Sequence, residues 1–282
     1  MNWFFLTLIS ILFVSVANVL QRVLMKHEKS NPYSYAIIFH LLLALLNFIC
    51  VVIFNSRIDL FSGNFFLLIL ASALWGATSV FLFKALKLID VSEVTILSTT
   101  RVFVIIIASI VFLHESFSFQ KALGTISIVI ATFLVTNHKG KLKFNNGVVY
   151  TFLMVLFGGI ALVIDSFNVK HYDPIFYNAI QNLLSGFCLL IVTPKALKDW
   201  RHFLMPHFLL RMLPLVFFST VQGIAYLMAL VTPGVTAQVG TIRQATVIVT
   251  VILAVMLLGE RNNLLRKFLA AILVTIGVIL LS

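Results

Sequence analysis

The sequence predicts an all-α integral membrane protein of ten transmembrane helices, built as two inverted five-helix repeats. Three observations predict it. The chain has 282 residues, 61% of them hydrophobic and 10% charged, with a mean hydropathy of +1.10. A soluble domain carries roughly 25% charged residues, so most of this surface must meet lipid. Apolar runs of about 20 residues, the length that crosses a bilayer, recur along the chain. One stretch also occurs twice. Ala85–Leu134 and Ala229–Leu280 both open on Ala-Leu, pass a short break and run through a long apolar helix to a Glu, Glu115 and Glu260. The two Glu are 145 positions apart, and a basic residue follows each by six, Lys121 and Arg266.

The candidate spans are 3–25, 34–55, 64–86, 94–114 and 119–137, then 147–169, 174–193, 208–231, 237–258 and 264–281. The runs are continuous rather than alternating, which favours helices over a barrel. The amino terminus has no basic n-region and its run is long for a signal peptide, so 3–25 is expected to remain as the first span. Turn residues punctuate the rest: Asn31-Pro32, Ser62-Gly63-Asn64, Asn145-Asn146-Gly147, Asp173-Pro174, Pro194 and Thr232-Pro233-Gly234. Cys50 and Cys188 lie inside apolar runs and are expected to pack as small hydrophobes.

The halves match beyond the Glu pair. Pro32/Pro174 and Tyr35/Tyr177 share an offset of 142, and Lys26-His27 matches Lys170-His171 at 144. Five spans per repeat is an odd number, so the second half is expected to run inverted, with a site near the midplane between the halves. The expected division is 1–138 and 147–282, joined by a basic linker at 139–146.

These features resemble the EamA-type branch of the drug/metabolite transporter superfamily. The resemblance rests on Ala85-Leu86 and Ala229-Leu230 near the ends of the third and eighth helices, and on Leu113-His114-Glu115 and Leu258-Gly259-Glu260 closing the fourth and ninth. It covers essentially the whole chain. It implies a site enclosed by the third, fourth, eighth and ninth helices with the first and sixth. The family often has a proline 14 residues before the motif Glu. Arg101 and Thr246 stand there instead, so both helices are expected to lack that kink.

Basic residues set orientation. Loops after the odd spans hold Lys26, Lys29, Lys87, Lys139, Lys141, Lys143, Lys195, Lys198, Arg201, Arg261, Arg266 and Lys267; loops after the even spans hold Arg57, Lys121 and Lys170. The positive-inside rule puts the odd loops in the cytoplasm and both termini outside, whereas the resemblance implies termini inside. The net charge of +11 is spread over these short patches, which suits anionic lipid rather than nucleic acid.

Ionisable groups within spans are costly and mark candidate function. Arg101 and Arg243 lie 14 and 17 residues before their motif Glu. Arginine keeps its charge, and its fork fits a carboxylate or phosphate. The alternative is internal pairing of Arg101 with Glu93, or of Arg243 with Asp165. Ser98 and Gln244 stand on the same two polar helices, and Gln222, Tyr226 and Trp75 stand on the eighth and third. Gln21 falls on Asp165 by repeat. Asp165 is a candidate proton or amine site, or the neutraliser of an arginine. His40, matched by Asn182, is a candidate proton relay or a packed hydrogen-bonded imidazole. Glu115 and Glu260 are read as scaffold, capping the next helix or pairing with Lys121 and Arg266.

The expected function is secondary transport, as exporter or exchanger, of a small metabolite such as an amino acid or related organic compound. A carrier or flippase for a lipid-linked sugar or phosphate-bearing lipid is the alternative. The sequence contains no Gly-x4-Gly-Lys-Ser/Thr, which makes a gradient the expected energy source. It contains no His-x-x-x-His or Gly-x-Ser-x-Gly, so an enzyme is not expected. No cofactor or metal is expected. The expected location is the plasma or inner membrane. A monomer is expected to suffice, since both repeats can form the cavity, and a dimer is compatible.

Overall fold

A computed structural model describes residues 2–27, 31–101, 103–104, 107, 119–138, 141–142, 145–199, 205–232, 239, 242–243, 245–260 and 263–281. Among the described residues ten α-helices follow in order: α1 Trp3–His27, α2 Pro32–Ile53, α3 Phe65–Leu88, α4 Val91–Ser98, α5 Phe119–Thr136, α6 Asn146–Asn168, α7 Pro174–Val192, α8 Pro206–Leu230, α9 Thr246–Leu258 and α10 Leu264–Leu281. Between α5 and α6, Asn137–His138 pairs antiparallel with Lys141–Leu142 in a minimal hairpin.

The polar punctuation caps the helices. The side chain of Asn31 accepts from the Tyr33 amide, that of Asn64 from Leu67 and that of Asn145 from Val148. Asp173 accepts from both Ile175 and Phe176. Each satisfies amides that the first helical turn leaves unpaired, and Pro32 and Pro174 occupy first-turn positions that need no amide.

Among the described residues six helices are long and apolar enough to cross a membrane: Trp3–Met25, Pro32–Ile53, Phe65–Leu88, Asn146–His171, Pro174–Val192 and Phe208–Leu230. The expectation of ten full spans meets shorter elements elsewhere among the described residues. The helix α4 has 8 residues and α9 has 13, and the apolar part of α5 runs only over Ala122–Leu134.

Packing is reciprocal between the halves. The contact of α3 on α6 is answered by α8 on α1, and that of α4 on α6 by α9 on α1. The helices α2 and α5 each pack against their own counterparts, α7 and α10. One end of the molecule gathers the N-terminal ends of α2, α4, α6, α8 and α10 with the C-terminal ends of α1, α3, α7 and α9. There Ser34 bonds the Ala196 carbonyl, a Cβ on Gly147 would meet Ile89, and Tyr35 packs on Phe208.

Polar groups turn inward and apolar groups outward. Ser72, Asn47, Ser185 and Thr250 are fully buried, while Phe66, Ile191 and Met256 are more than two-thirds exposed and suited to lipid. A cluster of Tyr35, Phe39, Phe83, Leu86, Phe208 and Met212 fills the contact of α2, α3 and α8. The pair α5 and α10 approaches more closely still. A Cβ on Gly277 would stand 2.8 Å from the Gly124 carbonyl oxygen, so a glycine is required there.

Candidate functional site

Both polar helices are interrupted where the sequence has no proline. After α4, the amides of Thr99 and Thr100 bond the carbonyls of Ile96 and Leu97 at 3.2 and 3.1 Å. Their hydroxyls donate to the same two carbonyls at 2.6 and 2.7 Å, and Ser98 Oγ donates to Thr95 O at 2.7 Å. Three consecutive hydroxyls compete for main-chain acceptors, which tightens the turn and ends the regular α-helix. In the second half the Ala245 amide bonds Ile242 O at 3.0 Å, and α9 begins only at Thr246. The expectation of unkinked helices, drawn from the missing prolines, is thereby overturned. Arg101 and Arg243 sit directly at the two interruptions.

The Arg101 guanidinium lies 5.8 Å from the ring centroid of Trp75 on α3. Its other wall is Gly158 on α6, where a Cβ would come within 3.0 Å of a guanidinium nitrogen. Its Nε is buried without a hydrogen-bond partner. Arg243 donates to Gln222 Oε1 at 2.9 Å, and its guanidinium stacks on Tyr226 with the carbon 3.6 Å from the ring centroid. Gln222 and Tyr226 are four apart on α8 and share a face. The two arginines lie within electrostatic range of each other. Among the described residues neither forms an ion pair with a carboxylate, so the alternative pairings with Glu93 and Asp165 are absent there.

Asp165 on α6 is held by uncharged donors. Trp75 Nε1 reaches Oδ2 at 2.7 Å, while Tyr177 OH and Gln181 Nε2 reach Oδ1 at 2.6 and 2.7 Å. Trp75 thus links the two charges, with its indole N–H on the carboxylate and its face toward Arg101. Other buried polar atoms without partners lie on the helices around Arg243: Ser10 and Gln21 on α1, Thr220 on α8, and Thr246 and Thr250 on α9. Buried polar atoms are normally bonded, so such a concentration suits an interior that receives a polar ligand or water.

His40 is elsewhere, between α2, α3 and α7. Its ring nitrogens meet Asn182 Oδ1 at 3.0 Å and Ser79 Oγ at 2.8 Å. Asn182 continues to Asn178, which donates to Asn47 at 2.9 Å. Both ring nitrogens are occupied in this ladder, the packed alternative for His40.

Glu260 caps a helix of the opposite half rather than the next one. Its carboxylate accepts from the amides of Val91 and Ser92 at 3.0 and 3.3 Å and from Ser92 Oγ at 2.5 Å, at the start of α4. Its nearest cations are Lys267 at 3.7 Å and Arg22 at 4.0 Å. The next-helix capping expected of Glu260 is corrected. Glu115 and Gln244 lie outside the described residues.

A model of the EamA-like transporter family matches residues 1–137 and again residues 145–282. The chain belongs to the EamA-like transporter family. No curated protein matches it. One solved structure, titled only "Crystal structure of protein", is similar at a TM-score of 0.67 and 12% identity, covering 98% of this chain and 96% of that one. That likeness concerns the fold. Family membership and the long apolar helices make this a multi-pass membrane transporter of small solutes.

Within this EamA-like chain the predicted residues fall into two linked groups, Arg243–Gln222–Tyr226 and Arg101–Trp75–Asp165. Ser98 marks the interruption before Arg101, and Gln21 lines α1. Tyr177 and Gln181 were not foreseen, although their spacing of four on α7 puts them on one face. Gly158 was not foreseen either, because only its contact with Arg101 reveals it. Gly158→Ala is expected to displace the guanidinium. It should weaken ligand binding about tenfold, the cost of one charge-assisted hydrogen bond, in a titration of ligand-induced thermal stabilisation.

Proposed function

We propose that this EamA-like protein is a secondary transporter, an exporter or exchanger, for a small metabolite bearing an anionic group, such as an amino acid or related organic acid. It would work in the plasma or inner membrane as ten spanning helices in two inverted repeats that rock about a central site. The observation that carries this reading is the pair of half-buried arginines that, among the described residues, have no carboxylate partner and stand where both polar helices are interrupted. A carboxylate would satisfy the unpartnered Arg101 Nε and add a charged acceptor to Arg243. The interruptions give each helix a place to bend. Asp165, ringed by neutral donors, is the assigned coupling-proton or amine position.

The test is a thermal-shift screen of purified protein against carboxylates, phosphorylated metabolites, amino acids and amines, beside Arg243→Ala. A ligand that binds only the folded state raises the melting temperature, by an amount equivalent to about 2.7 kcal/mol at 100 times its Kd. Carboxylates or amino acids should stabilise the parent and not the variant. Stabilisation by amines alone, equal in both proteins, would reject the anion site.

A further inference from the structure

A second charged cluster lies away from this site, at the end where α1 finishes and α4 begins. It joins the halves. Lys267 on α10 is only 2% exposed and donates to Asp90 Oδ2, between α3 and α4, at 2.7 Å. Glu260, from the second half, binds the first turn of α4 through the Val91 and Ser92 amides and the Ser92 hydroxyl. Arg22 on α1 donates to the Leu86 carbonyl and lies 3.5 Å from Asp90 and 4.0 Å from Glu260. Glu93 on α4 stands within electrostatic range of all four charged groups.

The opposite end is joined differently. There the described links between halves are neutral. Asn64 and Asn168 exchange two hydrogen bonds, at 2.9 and 3.1 Å, and the Tyr172 hydroxyl donates to Leu60 O at 3.2 Å. A cleft of about 320 Å³ lies between Gly63, Leu67, Phe167 and His171 at that end. Charged groups far from water bond strongly to one another, yet each is well hydrated once water enters. A network of this kind therefore has two favourable states, closed and dry or parted and wet. A sliding apolar contact has no such pair.

We propose that Arg22, Asp90, Glu260 and Lys267 form a latch that closes one end of the transporter and parts as a unit when that end opens. Its strands are distributed to suit this role. Asp90 and Arg22 belong to one half, Glu260 and Lys267 to the other, so a rocking motion pulls all the crossing bonds together. Because Glu260 holds the start of α4, and the break at Thr99 and Thr100 joins α4 to Arg101, release at the latch frees the helix that abuts the site. The latch lies at the end whose loops bear most of the lysines and arginines, the cytoplasmic face by the positive-inside rule. The proposal rests on the alternating-access reading and not on the identity of the substrate.

The test uses a cysteine placed beside the central site, Ser98→Cys, in a chain with Cys50 and Cys188 replaced by alanine. Protein in sealed vesicles is labelled with a membrane-impermeant maleimide from the latch side. Asp90→Asn, Lys267→Gln and Glu260→Gln should each raise the labelling rate about fivefold or more, the population shift for one lost net hydrogen bond. The double variant Asp90→Asn with Lys267→Gln should label little faster than the faster single, because both substitutions remove the same 2.7 Å bond. Melting temperatures separate opening from misfolding. Unchanged labelling in single variants that remain folded would overturn the latch. So would fully additive increases in the double variant, which would show that the two residues act apart. Neither outcome bears on the arginine site, which the ligand screen tests separately.

Discussion

Arg243→Lys is expected to lose at least about tenfold in transport, measured as counterflow in proteoliposomes, because one charge-assisted hydrogen bond is worth roughly 1.5–3 kcal/mol. The substitution keeps the charge. It removes the planar fork that donates to Gln222 at 2.9 Å and lies flat on Tyr226 at 3.6 Å. An ammonium is a compact, strongly hydrated point charge and cannot both stack and present two parallel donors. Gln222→Leu should do less, since the stack on Tyr226 remains. If Arg243→Lys transports as the parent does, the guanidinium is there for packing alone and the anion site is wrong.

Glu260→Ala is expected to destabilise the protein by about 3–5 kcal/mol, the range for removing one partner of a buried ion pair, read as a large fall in melting temperature in detergent. It would leave the Val91 and Ser92 amides uncapped and deprive Lys267 and Arg22 of one of their two carboxylates. Glu260→Gln keeps an oxygen acceptor for the cap and should lose only part of this. Arg266→Ala should leave the melting temperature nearly unchanged, because Arg266 is exposed and exposed pairs contribute about 0–1 kcal/mol. A large loss for Arg266→Ala with none for Glu260→Ala would reverse the assignment.

How far the sequence disclosed this depends on the range of the interaction. Caps at Asn31, Asn64, Asn145 and Asp173 act on amides two or three residues away, so local chemistry announces them. The arginines announced themselves because charge within an apolar run is expensive. Their partners did not, because the register between packed helices is written nowhere locally. Trp75 and Gly158 meet Arg101 from two different helices, and Lys267 meets Asp90 across 177 positions. Lys267 was placed in a loop because the rule for loops counts charge without geometry. The interruptions were hidden for another reason. Proline is the usual breaker, but Ser98, Thr99 and Thr100 achieve the break by hydrogen bonding, a route that leaves no proline to find.

The bond between His40 and Asn182 has a consequence of its own. The two residues are separated by 142 positions, the same step that relates Pro32 to Pro174 and Tyr35 to Tyr177, so each is the other's counterpart in the sequence repeat and the counterparts meet. In a dimer of identical five-helix subunits, a residue that met its own counterpart would face a copy of itself. Two imidazoles or two amides would then have to share donors and acceptors by chance of orientation. Joining the subunits into one chain lifts that constraint. A ring and an amide of different chemistry can stand opposite each other, and the centre of the molecule is free to become asymmetric while its outer frame keeps the symmetry of a pair.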